Sequence, residues 1–488
     1  MEFSINMSDK ELETLNKHQS KRPPVKDIKP KTPKIPKVRK KHKRTWIFIL
    51  LGLILASALS VGGYMVYKGY KLGKDIGFQI KPSDIFTPPE KPELKKDSTG
   101  KYTTVMLIGL DTRENTQLLN TDSIMTATYN YETNDVTMLS IPRDLHVQVN
   151  PKVVWFNKIN SVYATNEQKV KGSGLEALKD VVEDVTGLEI QYSATIDYKG
   201  FVELIDAIGG IYVNVENSFT DYMYPASNLK YQTVKFQEGP QLMDGETALK
   251  YSRSRHSMNN GEGSDYARAR RQQNVIVAFK DTILTSETLL NPKKIMDLIS
   301  AVQNNLKISA FTITDIEAGV NLLQEFSDAQ GRTYSFVLDP SAGNSTLIKV
   351  GPNPNEEYYI YPANGNGKYE NIHEYIKLIV QDPQLYSEDP AINVYNTGLG
   401  YQDTYKVTQE LREQFPYMNI KFLGTLYSDK EGKYIYPYKE GEKTYSLDKL
   451  SKYLKIDTVE RPEYIKTNIN GADISILLGK EITPQVNQ

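Results

Sequence analysis

The chain of 488 residues is long enough for two or three domains, each with its own core. Its 59 basic and 60 acidic residues leave a formal charge of −1, which argues against general nucleic-acid binding. There is no cysteine, which excludes disulfides, thiolate metal sites and cysteine nucleophiles in one step.

Residues 1–44 are polar, and rich in lysine and proline from Lys21 onward; they read as a disordered basic cytoplasmic tail. The uncharged run "TWIFILLGLILASALSVGGYMVY", residues 45–67, follows. As a helix it covers about 34 Å, enough to span a bilayer core. The basic stretch Lys37 to Arg44 directly precedes it, so the positive-inside rule places the N-terminus in the cytoplasm and the rest of the chain outside. This predicts a single-pass cell-membrane protein. Residues 68–100, stiffened by "FTPPEKPELKK", read as an extracellular spacer.

A first domain is expected over residues 101–385. "YTTVMLIGLD", "DSIMTATYN" and "DVTMLSIPRD" read as three buried strands. "GLEALKDVVEDVTG" spaces Leu175, Leu178, Val182 and Val185 as a helix before a glycine stop. "YSATID" and "GGIYVNVE" resume the strand pattern around a helix in "YKGFVELIDAI", and a long helix starts near Asp265. "NPKKIMDLISAVQNNL" and "TDIEAGVNLLQEF" add helices. The alternation predicts an α/β fold, a central mixed sheet flanked by helices. A boundary near Gln381 to Pro390 separates a second, small α/β domain over 390–482, with "AINVYNTG", "YKVTQELREQF", "NIKFLGTLY" and "ADISILLGK" as its elements.

Charged residues gather at the ends of these strands. Asp111 follows the first and Asp122 precedes the second, and antiparallel pairing would bring them together. Two carboxylates with retained waters suit Mg²⁺ where a phosphate completes the shell, although acidic residues are equally common at turns and caps. Arg143 and Asp144 leave the third strand at Pro142, at the usual edge of an α/β ligand crevice, or as a surface salt bridge. Arg253 and Arg255 in "YSRSR" would point the same way on an extended segment. Arg268, Arg271, Gln272, Val275 and Phe279 share a face of the long helix, which begins with guanidinium groups and ends in core hydrophobes. Guanidinium forks grip paired phosphate oxygens, so a pyrophosphate held by arginines and a metal is one reading; interface salt bridges or a groove for an anionic polymer are the others. No "GxxxxGK[ST]" loop is present. His256 reads as a local polar residue.

"VMLIGLDTR", "TDSIM", "LSIPRD", "KINSVYA", "FVELIDAIGGIYVNV", "LMDGETALKYSRSR" and "DYARARRQQNVI" together resemble the catalytic domain of the LytR-CpsA-Psr family. "INVYNTG" and "ADISILLG" resemble its LytR-type C-terminal accessory domain. The resemblance implies a membrane-anchored extracellular enzyme of a Gram-positive bacterium. It would be a phosphotransferase moving a teichoic acid or other anionic glycopolymer from an undecaprenyl-pyrophosphate carrier to peptidoglycan, as a phosphodiester at a muramic acid C6 hydroxyl. It also implies a long apolar pocket for the polyprenyl tail. Carried over by motif, Asp111 and Asp122 would hold Mg²⁺, or Mn²⁺ in its place. Arg143, Arg253, Arg255, Arg268, Arg271 and Gln272 would face the pyrophosphate, Arg271 with a less defined part. Arg113, Asp144 and Gln273 complete motifs without an assigned role. Many members carry an arginine before the second aspartate, where this chain has Asn120 in "LLNTD". Pyrophosphate hydrolysis, a wall-anchored polymer-binding scaffold and a transcriptional regulator are the alternatives; the last conflicts with the expected topology.

Overall fold

The computed structural model describes residues 93–112, 119–149, 155–226, 230–285, 305–309, 313–340, 346–351, 358–465 and 471–481. The tail, the apolar run and the spacer up to residue 92 lie outside these, as do Arg113 and most of the helix expected in 291–306. Among the described residues no helix is long and apolar enough to cross a membrane.

The first three strands form where alternate residues can be buried on both sides: β1 (Tyr102–Asp111), β2 (Asn120–Asn130) and β3 (Asp135–Ile141). Short β4 (His146–Gln148) and β5 (Phe156–Lys158) lead to α1 (Asn160–Lys169) and α2 (Gly174–Thr186). α2 buries Leu178, Val181, Val182 and Val185 at the spacing its sequence predicts, and stops at Gly187, whose φ of 69° favours glycine. Then come β6 (Tyr192–Asp197), α3 (Tyr198–Ala207), β7 (Ile211–Val215), the hairpin β8 (Phe219–Pro225) and β9 (Tyr231–Phe236), and β10 (Gly239–Met243). α4 (Gly245–Arg253), α5 (Asp265–Thr285), β11 (Leu306–Ser309), α6 (Ile313–Asp328), β12 (Thr333–Val337), β13 (Ile348–Val350), β14 (Ile360–Pro362), α7 (Glu370–Gln381) and α8 (Pro383–Glu388) complete this part.

The central sheet is mixed, in the order β11-β6-β1-β2-β3-β12. β1 runs parallel to β6 and antiparallel to β2, while β3 runs antiparallel to β2 and parallel to β12. The period-two pattern divides its side chains between two cores. Val105, Met125, Ala127, Met138 and Tyr192 face one, under α3, α4, α5 and α6. Met106, Ile108, Ile124, Leu139 and Ile141 face the other, under α1, α2 and α7.

A smaller C-terminal α/β unit follows, with β15 (Ala391–Asn396), α9 (Tyr401–Gln414), β16 (Asn419–Thr425), β17 (Lys433–Pro437), α10 (Thr444–Leu454) and β18 (Ile474–Leu478). Its sheet order is β16-β15-β18-β17, with Ile392, Val394, Leu411, Leu450, Ile474 and Ile476 at its centre. Tyr417 joins it to the larger part, its ring 5.5 Å from that of Tyr375 and its hydroxyl donating to Glu374 at 2.9 Å.

One expectation changes. "YSRSR" is not extended, because Asp244 caps α4 by accepting from the Thr247 amide at 2.8 Å and the helix runs through Arg253. Only from Ser254, with ψ at 138°, does the chain straighten toward Arg255.

Candidate functional site

Because β1, β3 and β6 run the same way and β2 opposes them, one sheet edge collects the ends of the first three and the start of β2. Asp111 ends β1, Arg143 follows β3, and Tyr198 opens α3 directly after β6. Asp122 reaches this edge through a bulge. Gly109 pairs with Ser123 but Leu110 pairs with Thr121, so Asp122 is the extra residue. In a regular strand it would share the face of Ile124, which is buried in the opposite core. The bulge turns it instead toward Tyr198 and Arg143.

Arg143 Nη1 donates to Asp122 Oδ1 at 2.7 Å, and the Tyr198 hydroxyl donates to Oδ2 at 3.0 Å. Burial alone would raise the Asp122 pKa, but the guanidinium groups of Arg143 and Arg268 and these hydrogen bonds outweigh it, so the carboxyl is held below its ordinary range. Burial, and then the charges of Asp122 and Asp111, hold the Tyr198 proton on well above the ordinary tyrosine range. Asn120 sits directly across from Asp111 in the ladder.

Arg253 stacks on the ring of Tyr198, 3.9 Å from its centre, and its Nη1 lies 3.4 Å from the Tyr224 hydroxyl. Arg268 is buried; its Nη2 donates to the Asp122 carbonyl at 3.3 Å and its Nη1 pairs with Asp265 Oδ1 at 3.1 Å. Asp265, which the sequence marks only as a helix start, stands between three arginines, with Arg143 at 3.8 Å and Arg255 at 3.9 Å. Burial lowers the proton affinity of Arg268; facing Arg143 and Arg255 lowers it further, and Asp265 and Asp122 oppose this. Four guanidinium groups thus meet at this edge, the mouth of the site, interleaved with Asp122 and Asp265, and forked donors held in this way suit a multiply charged anion.

Behind the mouth lies a cavity of about 240 Å³ between the sheet and α3, α4 and α5. Asp122, Arg143, Tyr198, Arg253, Arg255, His256, Arg268 and Gln272 surround its polar end. Leu107, Met125, Ala194, Phe201, Leu204, Ile205, Leu249, Val275, Ile276 and Phe279 make its wall apolar. Gln272 bridges α5 to β2 through the Ser123 hydroxyl.

Two residues of the helix motif are placed elsewhere. Arg271 is three positions from Arg268, which turns it by about 60° off that face. Its Nε donates to the Tyr251 carbonyl at 3.0 Å and its Nη1 to the Glu262 carbonyl at 3.1 Å; it also pairs with the Glu262 carboxylate and donates to the Ser254 carbonyl. It is 2% exposed and does not line the cavity, contrary to the expected pyrophosphate contact. Gln273 points to the other side, donating to the Ser140 hydroxyl at 3.0 Å and the Phe336 carbonyl at 2.8 Å. Asp144 is paired with Lys158 at 3.0 Å and with Arg143 at 3.5 Å. Sequence reasoning missed Tyr198, Asp265 and Lys158. For Tyr198 and Asp265 the available signal was a residue at the first turn of a helix beside the sheet edge.

Among the described residues no group of three or more His, Asp or Glu side chains could hold a metal ion. Asp111 and Asp122 are hard carboxylates of the type Mg²⁺ prefers, and both oxygens of Asp122 already accept, from Arg143 and Tyr198.

Arginines at the polar end of an apolar cavity are an arrangement that suits an amphiphile with an anionic head and an apolar tail. The LytR_cpsA_psr family model matches residues 64–333, more than half of the chain, and the chain belongs to that family. The cell wall biosynthesis protein LcpA of Corynebacterium glutamicum is 32% identical over 39% of this chain and 38% of its own length. Biofilm regulatory protein A of Streptococcus mutans is 29% identical over 55% of this chain and 64% of its own. The polyisoprenyl-teichoic acid–peptidoglycan teichoic acid transferase TagU of Halalkalibacterium halodurans is 28% identical over 53% and 80%. The chain therefore spans less than two thirds of the length of the first two.

Proposed function

We propose that this protein is a phosphotransferase that moves an anionic glycopolymer, a teichoic acid or polysaccharide, from an undecaprenyl-pyrophosphate carrier to peptidoglycan, forming a phosphodiester at a muramic acid C6 hydroxyl. The observation that carries this reading is the apolar cavity with Arg143, Arg253, Arg255 and Arg268 at its polar end. The activity named for the TagU relative agrees with it.

In this reading the polyprenyl tail enters the cavity and the pyrophosphate rests among the four guanidinium groups. The acceptor hydroxyl attacks the phosphorus next to the sugar and gives its proton to a carboxylate of the site or to water, and the bond from that phosphorus to the bridging oxygen breaks. Negative charge builds on the departing polyprenyl phosphate, where fixed arginines stabilise it without reorganising. Stacking on Tyr198 keeps Arg253 in place for this, and Asp265 spaces Arg255 and Arg268. Asp111 and Asp122 would hold Mg²⁺ or Mn²⁺, which would neutralise phosphate charge. Residues 45–67 would anchor the chain in the membrane with residues 1–44 in the cytoplasm, which confines the enzyme to the surface holding its donor.

The test incubates the full chain with a synthetic polyprenyl-pyrophosphate glycan and a peptidoglycan oligomer, with Mg²⁺ or chelator, and follows products by mass spectrometry. A phosphodiester-linked product that needs both the metal and Arg255 is expected. Release of glycan phosphate alone would make the protein a hydrolase; polymer binding without turnover would make it a scaffold.

A further inference from the structure

A carboxylate stands on the core face of β8, where the strand's pattern calls for an apolar residue. Phe219 and Asp221 are two apart and both buried; Phe219 packs in the hydrophobic core, and Asp221 is fully enclosed. A charge there costs stability unless hydrogen bonds replace the lost water, and an apolar residue of similar size would fill the space as well. Four donors account for it. Asp221 Oδ1 accepts from the Met223 amide at 2.8 Å, across the bulge that follows it in the hairpin. Its Oδ2 accepts from the Ser254 hydroxyl at 2.6 Å and from the amides of Arg255 and His256 at 3.1 and 3.2 Å. Burial raises the Asp221 pKa, but these donors outweigh it and hold the carboxyl below its ordinary range, so it accepts as an anion.

One oxygen thus gathers three consecutive residues, and the middle one is Arg255. The other guanidinium groups at the mouth are gripped by close side-chain contacts: Arg143 by Asp122 at 2.7 Å, Arg253 by the Tyr198 ring, and the buried Arg268 by Asp265 at 3.1 Å. The Arg255 side chain is 41% exposed, and among the described residues its partner is Asp265 at 3.9 Å. A side chain so loosely held is aimed chiefly by its backbone. That backbone has left α4, which ends at Arg253. Arg271 holds the Ser254 carbonyl from one side, and Asp221 holds the amides that follow from the other. Ser257 then bridges back to Asp221.

We propose that Asp221 is a positioning residue for the anion site: by fixing the backbone of residues 254–256 it aims the Arg255 guanidinium at the bound phosphates. Asp221 does not itself line the cavity, whereas Arg255 does. Preorganised donors stabilise charge best when nothing must move to meet it, so a loosened segment lowers affinity even with every arginine present. What Arg255 meets rests on the phosphotransferase reading above; the hold on its backbone does not.

The test titrates inorganic pyrophosphate, with Mg²⁺ present, into the full chain in detergent and reads affinity by calorimetry. Asp221→Asn places an amide where the donors converge. It should weaken binding roughly tenfold, about as much as Arg255→Ala. The double variant Asp221→Asn, Arg255→Ala should bind no more weakly than either single one, because an arginine no longer aimed has little left to lose. Arg143→Gln, whose residue Asp122 holds instead, should cost the same factor whichever residue stands at 221. Losses that simply multiply in the double variant, or parental affinity in Asp221→Asn, would overturn the proposal; a purely structural carboxylate would lower the melting temperature and give one of those results. Should Asp221→Asn not fold, Ser254→Ala removes a single donor. It should weaken binding on the order of threefold, again without multiplying with Arg255→Ala. A parent chain that binds no pyrophosphate would refute the anion site instead. Amide hydrogen exchange then decides the role of Asp221: residues 254–256 should exchange faster in Asp221→Asn or Ser254→Ala with α5 unchanged, and unaltered exchange there would overturn it.

Discussion

Replacing Arg271 by methionine separates two roles that its motif leaves open. If the guanidinium binds the substrate anion, the variant folds normally and loses affinity. In the structure it instead ties Tyr251, Ser254 and Glu262 together, stacked 4.7 Å from the centre of the Phe219 ring. Its side chain and that of Glu262 are 3% and 9% exposed, so the pair counts as buried. Removing one partner of such a pair costs about 3–5 kcal/mol, because the other charge stays buried without compensation. That is a large share of a typical folding free energy of about 5–15 kcal/mol. We expect Arg271→Met to lower the melting temperature on the order of 10 °C. Arg271→Lys should rescue little of this, since one ammonium cannot replace a fork serving several carbonyls. The double variant Arg271→Met, Glu262→Leu should be less destabilised than the sum of the single variants, as no lone charge remains. Differential scanning calorimetry checks the first two and a double-mutant cycle the third. An Arg271→Met protein that melts within about 1 °C of the parent but binds pyrophosphate more weakly would refute the reasoning.

The remaining expectations concern the mouth and its loop. Asp122 has a folded-state pKa below its unfolded value of about 3.9, so its contribution to stability is present above that pH and is lost as pH falls through the lower folded value. The melting-temperature gap between the parent and Asp122→Asn should therefore stay constant near neutrality and close in acid; a gap that widens in acid would contradict this. Tyr198→Phe keeps the ring beneath Arg253 but removes a hydrogen bond to a carboxylate, and should cost about 1.5–3 kcal/mol of folding stability, read by denaturant unfolding. Tyr198→Ala should cost more; equal effects would deny the ring a role, and a Tyr198→Phe protein indistinguishable from the parent would deny the hydroxyl one. In Gly263→Ala the new Cβ would collide with the Ser257 carbonyl. Faster proteolysis of residues 254–263 is expected, with the C-terminal unit unchanged by hydrogen exchange.

Much of the fold was legible because the strands of the central sheet are buried on both faces and α2 is strongly one-sided. Their apolar runs and spacing leave few alternatives. The β8–β9 hairpin and α1 carry no such pattern: "FTDYMYP" is interrupted by a bulge, and α1 buries only Val162, Tyr163 and Ala164 among polar neighbours. α4 was hidden because its last residues, "YSR", read as well in an extended chain; its capping aspartate was the missed signal. For the site, sequence spacing brought out the charged side chains but not their direction. Arg268 and Arg271 differ by one helical step, yet one faces the cavity and the other is spent on a loop. Asp122 was identifiable as an acid near a turn, whereas the bulge that re-aims it depends on the register of two strands and is visible only in the ladder.

The two cores on opposite faces of the central sheet have a consequence for how this chain can change. The cavity and its apolar wall belong to the core under α3, α4 and α5, whereas Tyr375 and Tyr417, whose rings meet where the C-terminal unit is attached, belong to the other. Ligand capacity and interdomain attachment therefore answer to different sets of residues, with a sheet of backbone hydrogen bonds between them. A lineage could widen or narrow the cavity by exchanging residues such as Leu249 or Ile276 and leave the attachment untouched. It could equally trade one accessory unit for another without retuning the cavity.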